Sequence, residues 1–158
     1  MEEVLSMDQI SGSVLFRGAE GIAGKEEVYR KLREHAEEAY PQECCGLLFC
    51  RTAEDGKLMI EEYIRAENVS DRKETHYKID PLTMFRYETE YGKRGYVLKG
   101  FYHSHPDEPA VPSEEDVRKM LPELLYLILS VTDGKLCGIR AWRKERNEEI
   151  VRELHFEK

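Results

Sequence analysis

The stretch His103–Asp116, His-Ser-His-Pro-Asp-Glu-Pro-Ala-Val-Pro-Ser-Glu-Glu-Asp, carries the densest chemical signal of this chain. It follows an apolar run over 96–102 that predicts a β-strand. Because side chains two residues apart on a strand point to the same face, His103 and His105 present their imidazoles together, while Ser104 faces away. Pro106 has no backbone N–H to donate, so we expect the strand to end directly after the second histidine. Neutral imidazole is a good zinc ligand, and the pair therefore indicates part of a zinc site.

The far end of the stretch offers a third ligand. Ser113 is predicted to start a helix, and Asp116 then lies in its first turn. Helical side chains lean toward the N-terminus, which would aim this carboxylate back at the two histidines. Two histidines and one aspartate leave a fourth position for water, as in a catalytic rather than a structural zinc site. With one anionic ligand the ion would remain a strong Lewis acid and would lower the pKa of bound water to roughly 7.

Each half of this pattern also has a purely structural explanation. Ser-x-x-Asp is a capping-box-like helix start, with Ser113 as the N-cap and Asp116 at the third helical position. His-x-His often marks only two histidines on an exposed strand. The residues alone leave both alternatives open, although the joint pattern with Pro106 favours the metal.

Composition excludes several classes of protein. The 158 residues carry a net charge of −8 and no basic stripe, which makes nucleic acid an unexpected partner. No apolar run approaches the roughly 20 residues of a membrane span, and the N-terminus lacks the basic and apolar regions of a signal peptide. We therefore expect a cytoplasmic protein that does not enter membranes. A monomer or a homodimer is expected, and composition does not distinguish the two.

The apolar pattern predicts one mixed α/β domain, a sheet flanked by helices on two sides, over 11–158, preceded by an arm over 1–10. Asp-Gly pairs at 55–56 and 133–134 lie between apolar runs and predict hairpin turns. Glycines at 18, 21 and 24 are predicted to break the first strand. The predicted strands are 13–17, 44–51, 57–69, a short edge strand at 76–79, 96–102, 124–132, 136–144 and 148–156, and the predicted helices are 25–40, 81–91 and 113–121.

A zinc hydrolase also needs a general base near the bound water, and His-Glu-x-x-His is absent. Glu43 is the best candidate because it lies where a helix has stopped and a buried strand begins. Partial desolvation there would raise its proton affinity, as proton transfer requires. Glu37 and Glu38 lie close by in the sequence, and the residues alone do not rank Glu43 decisively above them.

The four cysteines supply the main rival chemistry. Cys44 or Cys45 with a histidine could form a cysteine hydrolase, whereas the structural alternative makes them small buried residues that open a strand. No Cys-x-x-Cys pair is present, so a sulfur-ligated zinc site or a thioredoxin motif has no support. Cys50 and Cys137 are predicted strand residues, and His35, His76 and His155 are interpreted as ordinary surface or packing histidines.

Taken together, Glu43, His103-Ser104-His105-Pro106 and Ser113-x-x-Asp116 resemble the motif of the JAMM (MPN-plus) metalloprotease family, without departure. The local sequences over 40–48 and 100–106 resemble its short prokaryotic branch, which includes the Mec-type peptidases that act on sulfur-carrier proteins. The segment 76–81 resembles the step from strand to helix seen there. The resemblance covers roughly residues 12–156.

The resemblance implies a cytidine-deaminase-like α/β fold of three layers and one Zn²⁺ per chain, held by His103, His105 and Asp116. It implies that Glu43 is the general acid/base and that Ser113 stabilises the oxyanion. The implied substrate is a peptide or isopeptide bond at the Gly-Gly tail of a ubiquitin-like or sulfur-carrier protein. Base deamination is disfavoured because the deaminase motifs are absent. The alternatives are a deubiquitinase-like isopeptidase for small protein modifiers and a non-catalytic MPN-type scaffold, which usually lacks one or more motif residues.

Overall fold

A computed structural model describes residues 21–146 and 150–156, which form one mixed α/β domain. Within these residues the strands are β1 (Gly21–Gly24), β2 (Cys45–Thr52), β3 (Leu58–Ala66), β4 (Leu98–Pro106), β5 (Leu125–Thr132), β6 (Lys135–Lys144) and β7 (Val151–Phe156). The helices are α1 (Glu26–Ala39), α2 (Pro81–Gly92) and α3 (Glu114–Lys119).

The strands form a single sheet in the order β1-β3-β2-β4-β5-β6-β7. The sheet is mixed, since β4 pairs with β2 in antiparallel fashion and with β5 in parallel fashion. It closes into a barrel because β1 pairs in parallel with both β3 and β7. Strand β4, which carries the two histidines, therefore lies between two paired neighbours.

Side chains alternate between two apolar clusters along the buried strands. On β5, Leu127 and Leu129 belong to the first cluster, while Tyr126 and Ile128 belong to the second. Helix α1 packs into the first cluster through its buried stripe Val28, Leu32 and Ala36. Helices α2 and α3 contribute to the second through Met84, Tyr87, Tyr91 and Val117. The prediction of a mixed sheet with helices on two sides is confirmed, and the cytidine-deaminase-like arrangement of the layers stays a prediction.

Most element boundaries agree with the sequence-based prediction within a few residues. Asp80 caps α2 as predicted, because its carboxylate accepts the backbone N–H of Leu82 at 3.2 Å. Gly56 and Gly134 adopt φ values of 90° and 81° in the two hairpin turns, a backbone region that favours glycine. Strands β5 and β6, which flank the second hairpin turn at 133–134, pair in antiparallel fashion, as expected for a two-residue turn.

Two predictions were wrong. The segment 76–79 forms no strand; the backbone N–H of Lys78 donates to the side chain of Asn68, and the carbonyl of Lys78 accepts the backbone N–H of Val69. Residues 21–24, predicted as a break, form β1. There Gly24 permits close packing, since an added Cβ would lie 3.3 Å from the Cβ of Ile60. The predicted arm over 1–10 and the strand over 13–17 lie outside the described residues.

Helices of the described residues are too short and too polar to cross a membrane.

Candidate metal centre

Strand β4 brings two imidazoles to one buried point. His103 and His105 point to the same side of the sheet, as the spacing predicts, and their side chains are almost fully buried. Their Nε2 atoms are 3.2 Å apart. Pro106 is the last residue of the strand, so the chain turns away directly after the second histidine.

Helix α3 delivers the carboxylate. Ser113 is the N-cap, and the hydroxyl of Ser113 accepts the N–H of Asp116 at 3.0 Å while the Oδ2 of Asp116 accepts the N–H of Ser113 at 3.0 Å. The same Oδ2 lies 3.0 Å from Nε2 of His105 and 3.3 Å from Nε2 of His103. The capping box and the ligand set are therefore one arrangement, and the two interpretations of this stretch are compatible.

The loop between the histidines and α3 fixes the orientation of one ring. Nδ1 of His105 lies 2.8 Å from the carbonyl oxygen of Pro109, and it must be the protonated nitrogen, since a carbonyl only accepts. The next carbonyl, that of Ala110, accepts the indole N–H of Trp142 at 3.0 Å. In the neutral ring of His105, Nε2 therefore carries a lone pair that is available to a metal ion, whereas a hydrogen bond from Nε2 to Asp116 requires the protonated ring.

These donors fit a divalent cation. One ligand atom from each of His103, His105 and Asp116 lies within 4.8 Å of the others, and this is the metal-competent group found among the described residues. Two imidazole nitrogens and a carboxylate oxygen turned toward one space repel each other unless a cation or a proton lies between them. Two histidines with one carboxylate form a ligand set that zinc adopts in hydrolases.

The electrostatics of the trio match that geometry. Burial lowers the pKa of His103 below its ordinary value, although the hydrogen bond and charge of Asp116 act to raise it. The lowered pKa favours a neutral imidazole ring. Burial acts to raise the pKa of Asp116, but its hydrogen bonds with His103 and His105 hold this pKa far below its ordinary value. For His105, burial acts to lower the pKa, and the hydrogen bond and charge of Asp116 raise it overall. The carboxylate is therefore ionised and available as a ligand.

Glu43 lies at the edge of the same site, two residues before β2. Burial raises the pKa of its carboxyl to about 8; the charge of His105 opposes this shift and that of Asp116 adds to it. Glu43, His105 and Ser113 together line a cleft of about 460 Å³. The structure thus brings all five predicted site residues together, and the partial desolvation expected for Glu43 is present.

The two neighbouring glutamates are directed elsewhere. Glu38 pairs with Arg65 at 2.9 Å, and Glu37 accepts the backbone N–H of Leu136 at 2.8 Å. Neither lines the cleft that contains Glu43. Geometry therefore separates the three candidates, where the sequence alone did not.

Sequence reasoning missed three contributors. Ser104, expected only to face away, accepts the N–H of Cys44 at 2.8 Å and donates its own N–H to the carbonyl of Cys44 at 3.1 Å, which ties β4 to the residue after Glu43. The ring of Tyr77 stacks on His103. His76, interpreted as an ordinary histidine, lies 2.8 Å from Glu115, the neighbour of Asp116. No spacing rule identifies such contacts, because each joins residues that are far apart in the sequence.

The cysteine alternative has no geometric support. Cys44, Cys45 and Cys50 are buried, and burial raises their pKa values to about 11, 12 and 12. A buried neutral thiol is a poor nucleophile. Cys137 is exposed and lies beside the hydroxyls of Ser130 and Thr132 on the β5–β6 hairpin.

Comparison with known proteins places this geometry in a family. Residues 25–155 match the model described as prokaryotic homologs of the JAB domain. The chain is 30% identical over 119 residues to a protein of Thermus thermophilus described as "Probable TtuB-protein conjugate cleaving protease", covering 75% of this chain and 73% of that one. It is 29% identical over 127 residues to the desampylase of Haloferax volcanii, covering 80% and 88%.

A solved structure agrees with these matches. A protein of Desulfitobacterium hafniense, determined in solution, superposes with a TM-score of 0.74 at 30% identity and covers 86% of this chain and 91% of its own. The chain belongs to the JAB (JAMM) family, in its prokaryotic branch. Two of its relatives carry names of enzymes, one a probable protease that cleaves TtuB–protein conjugates and the other a desampylase.

Proposed function

We propose that this chain is a zinc-dependent metallopeptidase that hydrolyses a peptide or isopeptide bond at the C-terminal Gly-Gly tail of a ubiquitin-like or sulfur-carrier protein. The observation that carries the proposal is the convergence of His103, His105 and Asp116, of which His105 lines the same cleft as a buried carboxyl, that of Glu43. The names of the relatives in Thermus thermophilus and Haloferax volcanii support the substrate class.

Zinc, when bound by His103, His105 and Asp116, supplies a Lewis acid that acidifies water and polarises a carbonyl. The chain's own groups handle the protons. The carboxylate of Glu43 takes one proton from the attacking water as the new C–O bond forms. It then gives that proton to the nitrogen of the leaving amine as the C–N bond breaks. A carboxyl whose pKa lies near neutrality suits both transfers.

Ser113 is proposed to stabilise the oxyanion. Its hydroxyl lines the cleft with Glu43, and its oxygen accepts the N–H of Asp116, which leaves the hydroxyl proton available for donation. A donor aimed at charge that develops only in the transition state accelerates the chemical step rather than substrate binding.

The deciding experiment is an intact-mass assay. The zinc-loaded protein is incubated with candidate sulfur carriers and ubiquitin-like proteins that bear C-terminal extensions or lysine adducts. Cleavage directly after Gly-Gly is expected, and a chelator should abolish it until zinc is restored. Retained activity after complete zinc removal would refute the metallopeptidase.

Two substitutions test the proton carrier. Glu43→Gln should keep zinc yet lose hydrolysis, whereas Glu38→Gln makes the same chemical change outside the cleft and should stay active. Unchanged hydrolysis in Glu43→Gln would refute the mechanism. A protein that binds both zinc and a ubiquitin-like partner but cleaves no substrate would instead be the non-catalytic scaffold.

A further inference from the structure

Asn68 makes an unusual set of contacts just beyond the end of β3. Its Nδ2 donates to the carbonyl oxygens of Glu43 and His76, both at 3.0 Å. Its Oδ1 accepts the backbone N–H groups of Ser70 at 3.0 Å and Lys78 at 3.1 Å. An asparagine side chain has two donors and two acceptor lone pairs, so all of its hydrogen-bonding capacity is used. Two carbonyls on one side and two N–H groups on the other leave only one orientation of the amide.

These bonds join two segments that are far apart in sequence. The first segment contains Glu43. The second is 76–78, in which Tyr77 stacks on His103 and His76 contacts Glu115. One amide thus fixes the spacing between the proposed base and the loop that packs against a proposed ligand.

The backbone of Glu43 depends on this loop. The pairing of β2 with β3 begins at Cys45, so Glu43 lies outside the ladder. Its N–H donates to the carbonyl of Lys73 at 2.7 Å, and its C=O accepts from Asn68. Both peptide groups of the proposed base are therefore held by residues of the segment 68–78.

We propose that Asn68 is a positioning residue that holds Glu43 in register with the metal site. This inference rests on the proposed role of Glu43 as the base. Proton transfer requires hydrogen-bond reach, and a displacement of about 1 Å can cost on the order of 100-fold in rate. Loss of the two Nδ2 donors should let Glu43 drift while the metal ligands on β4 and α3 stay in place.

Asn68→Asp isolates those donors. The variant keeps the shape and the Oδ1 acceptor for Ser70 and Lys78, but it turns an oxygen toward the carbonyls of Glu43 and His76. We expect kcat to fall by about tenfold to 100-fold, with KM changed by less than about threefold and zinc stoichiometry intact. Asn68→Ala, which places no charge beside the carbonyls, serves if Asn68→Asp does not fold. Ser70→Ala is the matched control, since it removes a hydrogen bond to Arg72 within the same loop and leaves Glu43 untouched.

A second readout does not depend on turnover. Hydrogen exchange at the backbone amide of Glu43, resolved by NMR in the metal-free protein, should be faster in Asn68→Asp than in wild type or Ser70→Ala. If Glu43→Gln abolishes hydrolysis while Asn68→Asp keeps wild-type kcat, or if exchange at residue 43 stays slow, the positioning role is refuted. An equal loss of kcat in Ser70→Ala would also refute it. Retained hydrolysis in Glu43→Gln would instead refute the proposed base. In that case faster hydrogen exchange at residue 43 in Asn68→Asp would still show that Asn68 holds the backbone of Glu43.

Discussion

The ring of Tyr77 lies nearly parallel to the imidazole of His103, with ring centroids 4.3 Å apart and planes 20° from each other. Within the described residues, Nδ1 of His103 is buried and has no hydrogen-bond partner. His105 differs, since its Nδ1 is held by the carbonyl of Pro109. The plane of one imidazole is thus fixed by a hydrogen bond and that of the other by stacking.

Removal of the Tyr77 ring should weaken metal binding. In Tyr77→Ala the imidazole of His103 can rotate, and we expect zinc affinity to fall about tenfold, the lower end of what outer-sphere partners contribute. Competition with a chromophoric chelator measures this. Tyr77→Phe preserves the stacking surface and should bind zinc like wild type. Equal affinity in the Ala and Phe variants would show that stacking does not orient His103.

Loss of the Ser113 hydroxyl should separate stability from catalysis. Ser113→Ala removes the acceptor for the N–H of Asp116 and should cost about 1 kcal/mol of unfolding free energy, as N-cap substitutions do. It also removes the proposed oxyanion donor, so kcat should fall by about 100-fold or more. Urea unfolding and steady-state hydrolysis measure the two effects. Ser113→Thr keeps the hydroxyl and should retain most of the stability and most of the kcat. The catalytic role would be contradicted if kcat in Ser113→Ala fell no further than in another variant of equal stability.

The metal-free protein should show a stability change that originates at Glu43. Its pKa is raised in the fold from 4.5 to about 8, so between these values the folded state keeps a proton that the unfolded state has released. The stabilising effect of that proton is complete below about pH 4.5 and is lost as pH rises toward 8. Wild type should therefore lose stability relative to Glu43→Gln across this window, by an amount on the order of a few kcal/mol. Urea unfolding of both proteins at several pH values measures the difference, and parallel curves would show that the carboxyl titrates normally.

Alkylation should leave the enzyme active. Cys137 is exposed, while burial raises the pKa values of Cys44, Cys45 and Cys50 to about 11, 12 and 12. Under native conditions we expect one iodoacetamide adduct per chain, at Cys137, with hydrolysis unchanged. Peptide mapping locates the adduct, and Cys137→Ser should take up none. Inactivation that tracks modification of Cys44 or Cys45 would favour the cysteine mechanism.

The metal trio could be predicted because its signals are local. The pleat of one strand places His103 and His105 together, and the first turn of one helix places Asp116 beside Ser113. Both follow from spacing within fourteen residues. Each placement follows mainly from one local element, which is why the structure brings these side chains together as the spacing predicts.

Glu43 could not be assigned from spacing because a long-range contact brings it to the site. Strand β2 pairs with β4 so that Cys45 lies opposite His103. Such pairing over some sixty residues leaves no trace in local composition, so the position of Glu43 before a buried strand favoured it only weakly over Glu37 and Glu38, and the family resemblance made the assignment firm. The segment 76–79 also depends on long-range contacts, since the ring of Tyr77 stacks on His103 and the backbone N–H of Lys78 bonds to the side chain of Asn68.

The bonds from the loop carbonyls constrain the length of the chain between His105 and α3. The carbonyl of Pro109 is bound to the imidazole of His105, and the carbonyl of Ala110 is bound to the indole of Trp142 on β6. An inserted or deleted residue would break one of these bonds or shift Asp116 by a residue. By contrast, the Asp55–Gly56 turn lies at the end of β2 opposite to Glu43. Engineered tags and fused reporters therefore belong in that turn, where they lengthen the chain without moving a metal ligand.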